Sequence, residues 1–269
     1  MRRFLTALVL LLAIPTGLLS AQTLVGPTTM VGPVGSVRGS GSSVTPASYS
    51  GLIAWYSADC INAGACASQP SNGTNLAGTN WSDRSSSANN LALASETITF
   101  STNVLNGLPA ITFPTSSTST FNTAITWPGA ETVFIVFKYS ASSSAQIQVI
   151  AGPTDSLQWY SNVTPAVWKL DKGGVVNIGT GSNTLSQSTW YQANMTYNST
   201  SGAWAIREAE AADASGTSAQ SITATQTTAM AGFGVSGQIV VVEEFVYNVV
   251  LTGPQITALE GYLNTKYGI

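Results

Sequence analysis

The chain has 269 residues, with 44% hydrophobic and only 8% charged side chains, against roughly 25% charged in an average soluble domain. Its apolar content can bury a core, which excludes a disordered acidic or basic chain. A net charge of −3 has the wrong sign for nucleic acid or an anionic membrane surface. Histidine is absent altogether, which removes Ser-His-Asp and Cys-His nucleophile systems, histidine general bases and histidine-ligated metals.

Residues 1–21 have the features of a secretory signal peptide. Arg2 and Arg3 precede an apolar run from Phe4 to Ile14, which Pro15 and Gly17 break before the small pair Ser20-Ala21. Leu19 occupies a position where a small residue is preferred, so retention as an N-terminal anchor stands beside cleavage. The run is too short for a comfortable membrane span, and no span is expected after cleavage. Export places the chain in an extracellular, cell-surface or periplasmic compartment.

Residues 22–50 carry two Val-Gly-Pro units and a Gly-Ser-Gly-Ser-Ser run without hydrophobic periodicity, which predicts a flexible tether. Cys60 and Cys66 follow at a spacing suited to a small disulfide in an oxidising compartment. Two cysteines without histidine cannot complete a metal site.

From residue 51 to residue 269 short apolar segments alternate with turn residues, which predicts one all-β domain built as an antiparallel sandwich or barrel. Residues 132–137 are apolar on both faces, the pattern of a strand covered on both sides. Residues 190–197 alternate, with Tyr191, Ala193, Met195 and Tyr197 opposite Gln192, Asn194 and Thr196. Near the end, Thr252 and Gln255 have the spacing of a capping box. Ile256, Leu259 and Leu263 then share a helical face, and Gly268 suits the C-terminal cap.

Several of these segments resemble the bacterial secreted LamG-like, concanavalin A-like jelly-roll domains. The resemblance rests on the opening strand 51–59, the turn Trp81-Ser82-Asp83-Arg84-Ser85, the strand 105–113, and the ending from Glu243 through Thr252 to Tyr267-Gly268. It spans residues 51–269 and implies a jelly-roll sandwich of two antiparallel sheets, six or seven strands each, with a short C-terminal helix. It also implies a role in binding extracellular glycan or another surface polymer.

The concanavalin-like glucanases carry Glu-x-Asp-x-x-Glu on one strand, and that motif is absent here. Glu243 and Glu244 are adjacent and point to opposite faces of a strand. Glu208 and Glu210 have the alternate spacing but lack a third carboxylate. No catalytic residues are therefore assigned. Glu243 is expected on a face with Ile239, Val241, Phe245 and Tyr247, as a structural residue satisfied by Arg84, Arg207 or a tyrosine hydroxyl.

Asp59 and Asp83 have two readings, as turn caps or as ligands to Ca2+. Trp55, Trp190 and Trp204 fall within strand patterns and are expected in the core. Trp127, Trp159, Tyr160 and Trp168 flank turn residues and are the candidate exposed platform for sugar stacking. The leading expectation is a secreted, non-catalytic binding module for extracellular carbohydrate or surface polymer, the low charge suiting neutral polymers. A structural or adhesive surface protein and a divergent glycoside hydrolase are the competing classes, and the oligomeric state is left open.

Overall fold

The computed structural model describes residues 44–269 apart from 63–65, 67, 94–96, 115–118, 126–128, 142–145, 152–154, 164–165, 175, 223–225 and 234–236. The expected signal peptide, most of the expected tether and Trp127 lie outside the described residues.

The chain opens with β1 (Leu52–Ser57), β2 (Asn80–Trp81), β3 (Leu91–Leu93), β4 (Thr99–Leu105) and β5 (Leu108–Phe113). It continues with β6 (Ser119–Ile125), β7 (Ala130–Ala141), β8 (Gln146–Ala151), β9 (Leu157–Val163), β10 (Ala166–Lys172) and β11 (Val176–Thr180). Then come β12 (Trp190–Asn198), β13 (Ala203–Glu208), β14 (Ala211–Thr217), β15 (Gln226–Phe233) and β16 (Gly237–Tyr247), followed by helix α1 (Gly253–Tyr267).

These strands form two eight-stranded antiparallel sheets, a jelly-roll sandwich with one C-terminal helix. The first runs β14-β13-β12-β7-β16-β5-β4, with β1 also paired to β16; the second runs β11-β10-β9-β8-β15-β6-β3-β2. Each sheet is wider than the resemblance implied, because β4, β6, β9, β14 and β15 carry polar or small residues that hide their strand character.

The main core lies between the sheets and holds Trp81, Phe100, Phe113, Phe137, Tyr139, Trp159 and Trp168. A second core lies on the outer face of the first sheet, where Phe134, Val136, Phe245 and Tyr247 meet Leu259, Leu263 and Tyr267 of α1. This double covering explains the two-faced apolar run of β7: Val133, Ile135 and Phe137 face the second sheet, while Phe134 and Val136 face the helix. Each large apolar side chain so buried contributes on the order of 1.5–3 kcal/mol.

Helix α1 begins at the expected capping box, with Thr252 N donating to Gln255 Oε1 at 2.9 Å. It ends at Gly268, whose left-handed backbone (φ +69°) lets its N–H reach Asn264 O. The ordered body starts earlier than residue 51. Pro46 is buried, its carbonyl accepts the Tyr247 hydroxyl at 2.7 Å, and Val44 and Tyr49 pack against the helix-side core. The last residues of the expected tether are thus part of the sandwich, because the buried Tyr247 ring needs both an acceptor and an apolar cover.

Cys60 and Cys66 form the disulfide, with Cα atoms 4.3 Å apart. At the far edge the Trp204 indole lies over Gly179 and Gly216, which a Cβ would place 2.5 and 2.9 Å from the ring.

Candidate functional site

Of the expected aromatic platform, Trp127 lies outside the described residues and the other three members are buried. Trp159 and Trp168 are completely buried between the sheets, with ring centroids 4.6 Å apart. Tyr160 points to the other face of β9, is 8% exposed, and donates its hydroxyl to Asp171. The local sequence reads as turn-flanked, but β9 and β10 pair through this region and carry both indoles inward.

Aromatic and polar groups converge instead at the end of α1. A pocket of about 270 Å³ is lined by Trp190, Tyr191 and Gln192 of β12, Ala209 and Glu210, and Asn264 and Ile269. Alternation along β12 turns Tyr191, Ala193 and Met195 toward the second sheet and leaves Trp190 and Gln192 on the helix side. Trp190 is half-buried, and Lys138 from the paired strand lies over its ring at 4.9 Å.

Gln192 is only 4% exposed, yet neither its Nε2 nor its Oε1 has a hydrogen-bond partner among the described residues. A buried carboxamide without partners costs about 1–3 kcal/mol, so its retention calls for an account. The opposite wall is the two-residue hairpin between β13 and β14, where Ala209 and Glu210 both have positive φ (48° and 65°). Two side-chain-bearing residues hold the geometry usually given to Asn-Gly, a strained arrangement of the kind found at functional sites.

The hairpin is locked from behind. Ala209 N donates to Gln192 O at 3.0 Å, and Arg207 donates to the Glu210 carbonyl at 2.6 Å. Arg207 in turn grips Glu260 of α1 at 2.7 and 2.9 Å, and Asn194 donates to the same carboxylate at 2.9 Å. Asn264 donates to the Glu210 carboxylate at the rim. The site therefore offers an indole, two carboxamides and a carboxylate on a fixed frame.

Glu243 ties its strand to α1. Completely buried, it accepts Trp55 Nε1 (2.6 Å) and Tyr262 Oη (2.9 Å) on one oxygen. Lys266 Nζ (2.8 Å) and Tyr267 Oη (2.6 Å) reach the other. Of the expected partners the tyrosine hydroxyls serve, whereas Arg84 and Arg207 do not. Its expected face is also corrected: a bulge between Val241 and Glu243 turns Ile239 and Val241 inward, leaving Phe245 and Tyr247 beside Glu243. Burial and the Glu243 charge push the Tyr262 and Tyr267 hydroxyls well above their ordinary range.

Three further carboxyls face the inter-sheet interior. Glu131 and Glu244 are 2% and 0% exposed, have no partners among the described residues, and are pushed well up by burial. Burial and the nearby Asp213 carboxylate push Glu208 up to about 7, against the opposing effect of the Trp168 indole. Glu208 and Glu244 share one cross-sheet row through Ala193 and Ile135. Three strand spacings separate them by roughly 14 Å, beyond the roughly 5–9.5 Å of glycosidase carboxyl pairs.

Asp83 caps its turn: its two oxygens accept Trp55 N, Ser85 N, Ser85 Oγ and Asn89 N at 2.6–2.8 Å. Asp59 faces Lys266 at 3.1 Å and Arg84 at 3.6 Å. Burial opposes its ionisation, but Lys266, Ser57 and Arg84 together hold its carboxyl below the usual range. A Ca2+ ion would have to displace four donors at Asp83 or sit beside two cations at Asp59, so these residues do not fit a calcium site. Among the described residues no three His, Cys, Asp or Glu side chains converge on a metal position, and no helix is long and apolar enough to cross a membrane.

No family model matches the sequence, and no curated protein matches it. Among solved structures, the chain is similar to an arabinofuranosidase complexed with arabinofuranosyl-alpha-1,2-xylobiose (TM-score 0.53, 15% identity, 70% of this chain and 51% of that one). It is also similar to the binding domain of Paraclostridial Mosquitocidal Protein 1 (TM-score 0.59, 10% identity, 80% and 52%). A third is the botulinum neurotoxin serotype D ligand-binding domain in complex with N-acetylneuraminic acid (TM-score 0.54, 10% identity, 78% and 50%). The chain spans about half the length of these structures. At such identities the likeness establishes the fold alone, a β-sandwich.

Proposed function

We propose that the protein is a non-catalytic module that binds extracellular carbohydrate in the Trp190–Gln192 pocket. The observation that carries this reading is the Gln192 carboxamide, buried beside a half-buried indole with both polar atoms unpartnered among the described residues. A sugar ring supplies what the site lacks: a C–H face for Trp190 and hydroxyls that both donate to and accept from an amide. Asn264 and Glu210 stand at the rim to take further hydroxyls. The volume of about 270 Å³ suits one ring, and the low charge of the chain suits a neutral polymer. The signal-like start, the disulfide and the LamG-like motifs support a secreted setting, and the folds of the similar structures support the ligand class.

Binding of the folded protein to a panel of neutral glycans, by calorimetry with calcium or with EDTA, tests the proposal. Trp190→Ala is expected to weaken binding at least about tenfold, equivalent to about 1.4 kcal/mol, and EDTA to leave it unchanged. Binding that ignores Trp190→Ala, or no binding to any member of the panel, would overturn it.

A further inference from the structure

The sequence contains two Asn-Gly pairs, Asn72-Gly73 and Asn106-Gly107, and all four residues are exposed. Such a pair is open to spontaneous deamidation, because glycine leaves its backbone nitrogen unshielded and free to turn toward the preceding asparagine side chain. The fold treats the two pairs differently.

At Asn72-Gly73 both reacting groups are held. Gly73 N donates to Phe100 O at 2.8 Å, and Asn72 Oδ1 accepts Thr102 N at 3.0 Å. These bonds fasten the segment along β4, where Phe100 N also donates to Thr74 O. Asn106 and Gly107 instead form the two-residue turn between β4 and β5, with φ of 49° and 76°. The Gly107 N–H has no hydrogen-bond partner among the described residues. Beyond its chain neighbours, no atom lies within 4 Å of where a Gly107 Cβ would stand.

The Asn106 side chain is held by one exposed bond, from Nδ2 to Lys266 O at 2.9 Å. Lys266 O is among the last carbonyls of α1, which the helix itself leaves without partners, so Asn106 serves as a cap from a distant hairpin.

We infer that Asn106 is a site of spontaneous deamidation and that the change uncaps the end of α1. The Gly107 nitrogen attacks Asn106 Cγ and loses its proton, the Cγ–Nδ2 bond breaks, and ammonia departs to leave a cyclic imide. Water then opens the imide at either carbonyl: its hydroxyl joins the carbon, the ring nitrogen takes back a proton, and aspartate or isoaspartate results. Neither product can donate to Lys266 O, and both bring a carboxylate to the negative end of the helix dipole. The Lys266 ammonium is engaged by Glu243 and Asp59 at 2.8 and 3.1 Å and does not offset that charge. Isoaspartate also lengthens the backbone of a turn that sets the Leu105–Leu108 pairing. The site needs nothing from the Trp190 pocket.

The experiment ages the folded full chain in mildly alkaline buffer beside a sample unfolded in urea, and maps both by proteolysis and mass spectrometry. In the folded sample Asn106 is expected to convert at least about tenfold faster than Asn72, with isoaspartate found at Asn106. In urea the two sites are expected to convert at similar rates. Asn106→Asp reproduces the new charge without ageing and is expected to speed hydrogen exchange over residues 264–268, whereas Asn72→Asp leaves that exchange unchanged. Conversion at Asn72 as fast as at Asn106 in the folded chain, or an Asn106 that stays amidated while the urea sample converts, would overturn the modification site. Unchanged exchange over residues 264–268 in Asn106→Asp would overturn the uncapping.

Discussion

Lys266→Met is expected to lower stability by about 3 kcal/mol or more, within the range for breaking a buried ion pair from one side. Among the described residues the substitution removes the one cation in contact with the completely buried Glu243 and leaves its charge to three neutral donors, Trp55, Tyr262 and Tyr267. It also leaves Asp59 with Arg84, at 3.6 Å, as its ionic partner among the described residues. For a chain of this size the loss corresponds to a fall in Tm of roughly 6–12 °C. Adding Glu243→Gln to the variant is expected to recover part of the loss, because the uncompensated charge disappears while the amide oxygen still accepts the Trp55 indole. Thermal unfolding of the single and double variants measures this. A cost below about 1 kcal/mol for Lys266→Met would place the pair with ordinary surface ion pairs, contrary to the account.

The second large effect is on pH. Glu131 and Glu244 hold their protons in the folded protein well above the ordinary glutamate value of 4.5, as Glu208 does up to about 7. The unfolded chain releases these protons first, so the folded state binds more protons and stability falls as pH rises above about 4.5. Each such group costs about 1.4 kcal/mol per pH unit over its window, and the Glu208 share levels off near pH 7. Asp59 acts oppositely: its lowered value stabilises the fold above the ordinary 3.8 and is lost as pH falls below it.

Maximum stability is therefore expected near pH 4–5, at the acid edge of the usual range. Glu244→Gln removes one titration without changing shape and is expected to raise stability at pH 7 while leaving it nearly unchanged at pH 4. Urea unfolding at several pH values reads both effects. Stability flat from pH 4 to 7, or an unchanged slope in Glu244→Gln, would contradict the burial of ionisable Glu244.

Which parts of this structure were legible beforehand follows from what a strand pattern encodes. The two-faced apolar run of β7 announced a strand covered on both sides, and it lies between β12 and β16 with a core on each face. The helix could be read from its caps, since Thr252, Gln255 and Gly268 satisfy backbone groups locally. The Cys60–Cys66 pair could be read from its short spacing.

The candidate site was harder to see. Alternation in β12 correctly separated Ala193 and Met195 from Gln192 and Asn194, but it does not say what covers the polar face. Helix α1 covers it, burying Gln192 and Asn194 at 4% and 2% exposure, so a face that reads as solvated became the wall of a pocket. Trp190 was assigned to the core by its strand, although its place at the end of β12 leaves it half-buried beside that pocket. The readable signal was a polar strand face combined with a C-terminal amphipathic helix that needs a surface to lie on.

Trp159 and Tyr160 were misplaced for a related reason: β9 is short and rich in Gln, Ser and Asn, so its neighbours looked like loops. Nor does any local pattern reveal the bulge at Val242, which decides that Glu243 faces the helix rather than the second sheet.

The most direct test of the carbohydrate reading follows the side-chain amide of Gln192 by NMR while the best neutral glycan is titrated into the folded protein. The account predicts that the Gln192 Nε2 proton pair shifts with the same saturation curve as the calorimetric binding. A glycan that binds while the Gln192 amide stays unchanged would place the ligand elsewhere and contradict the account.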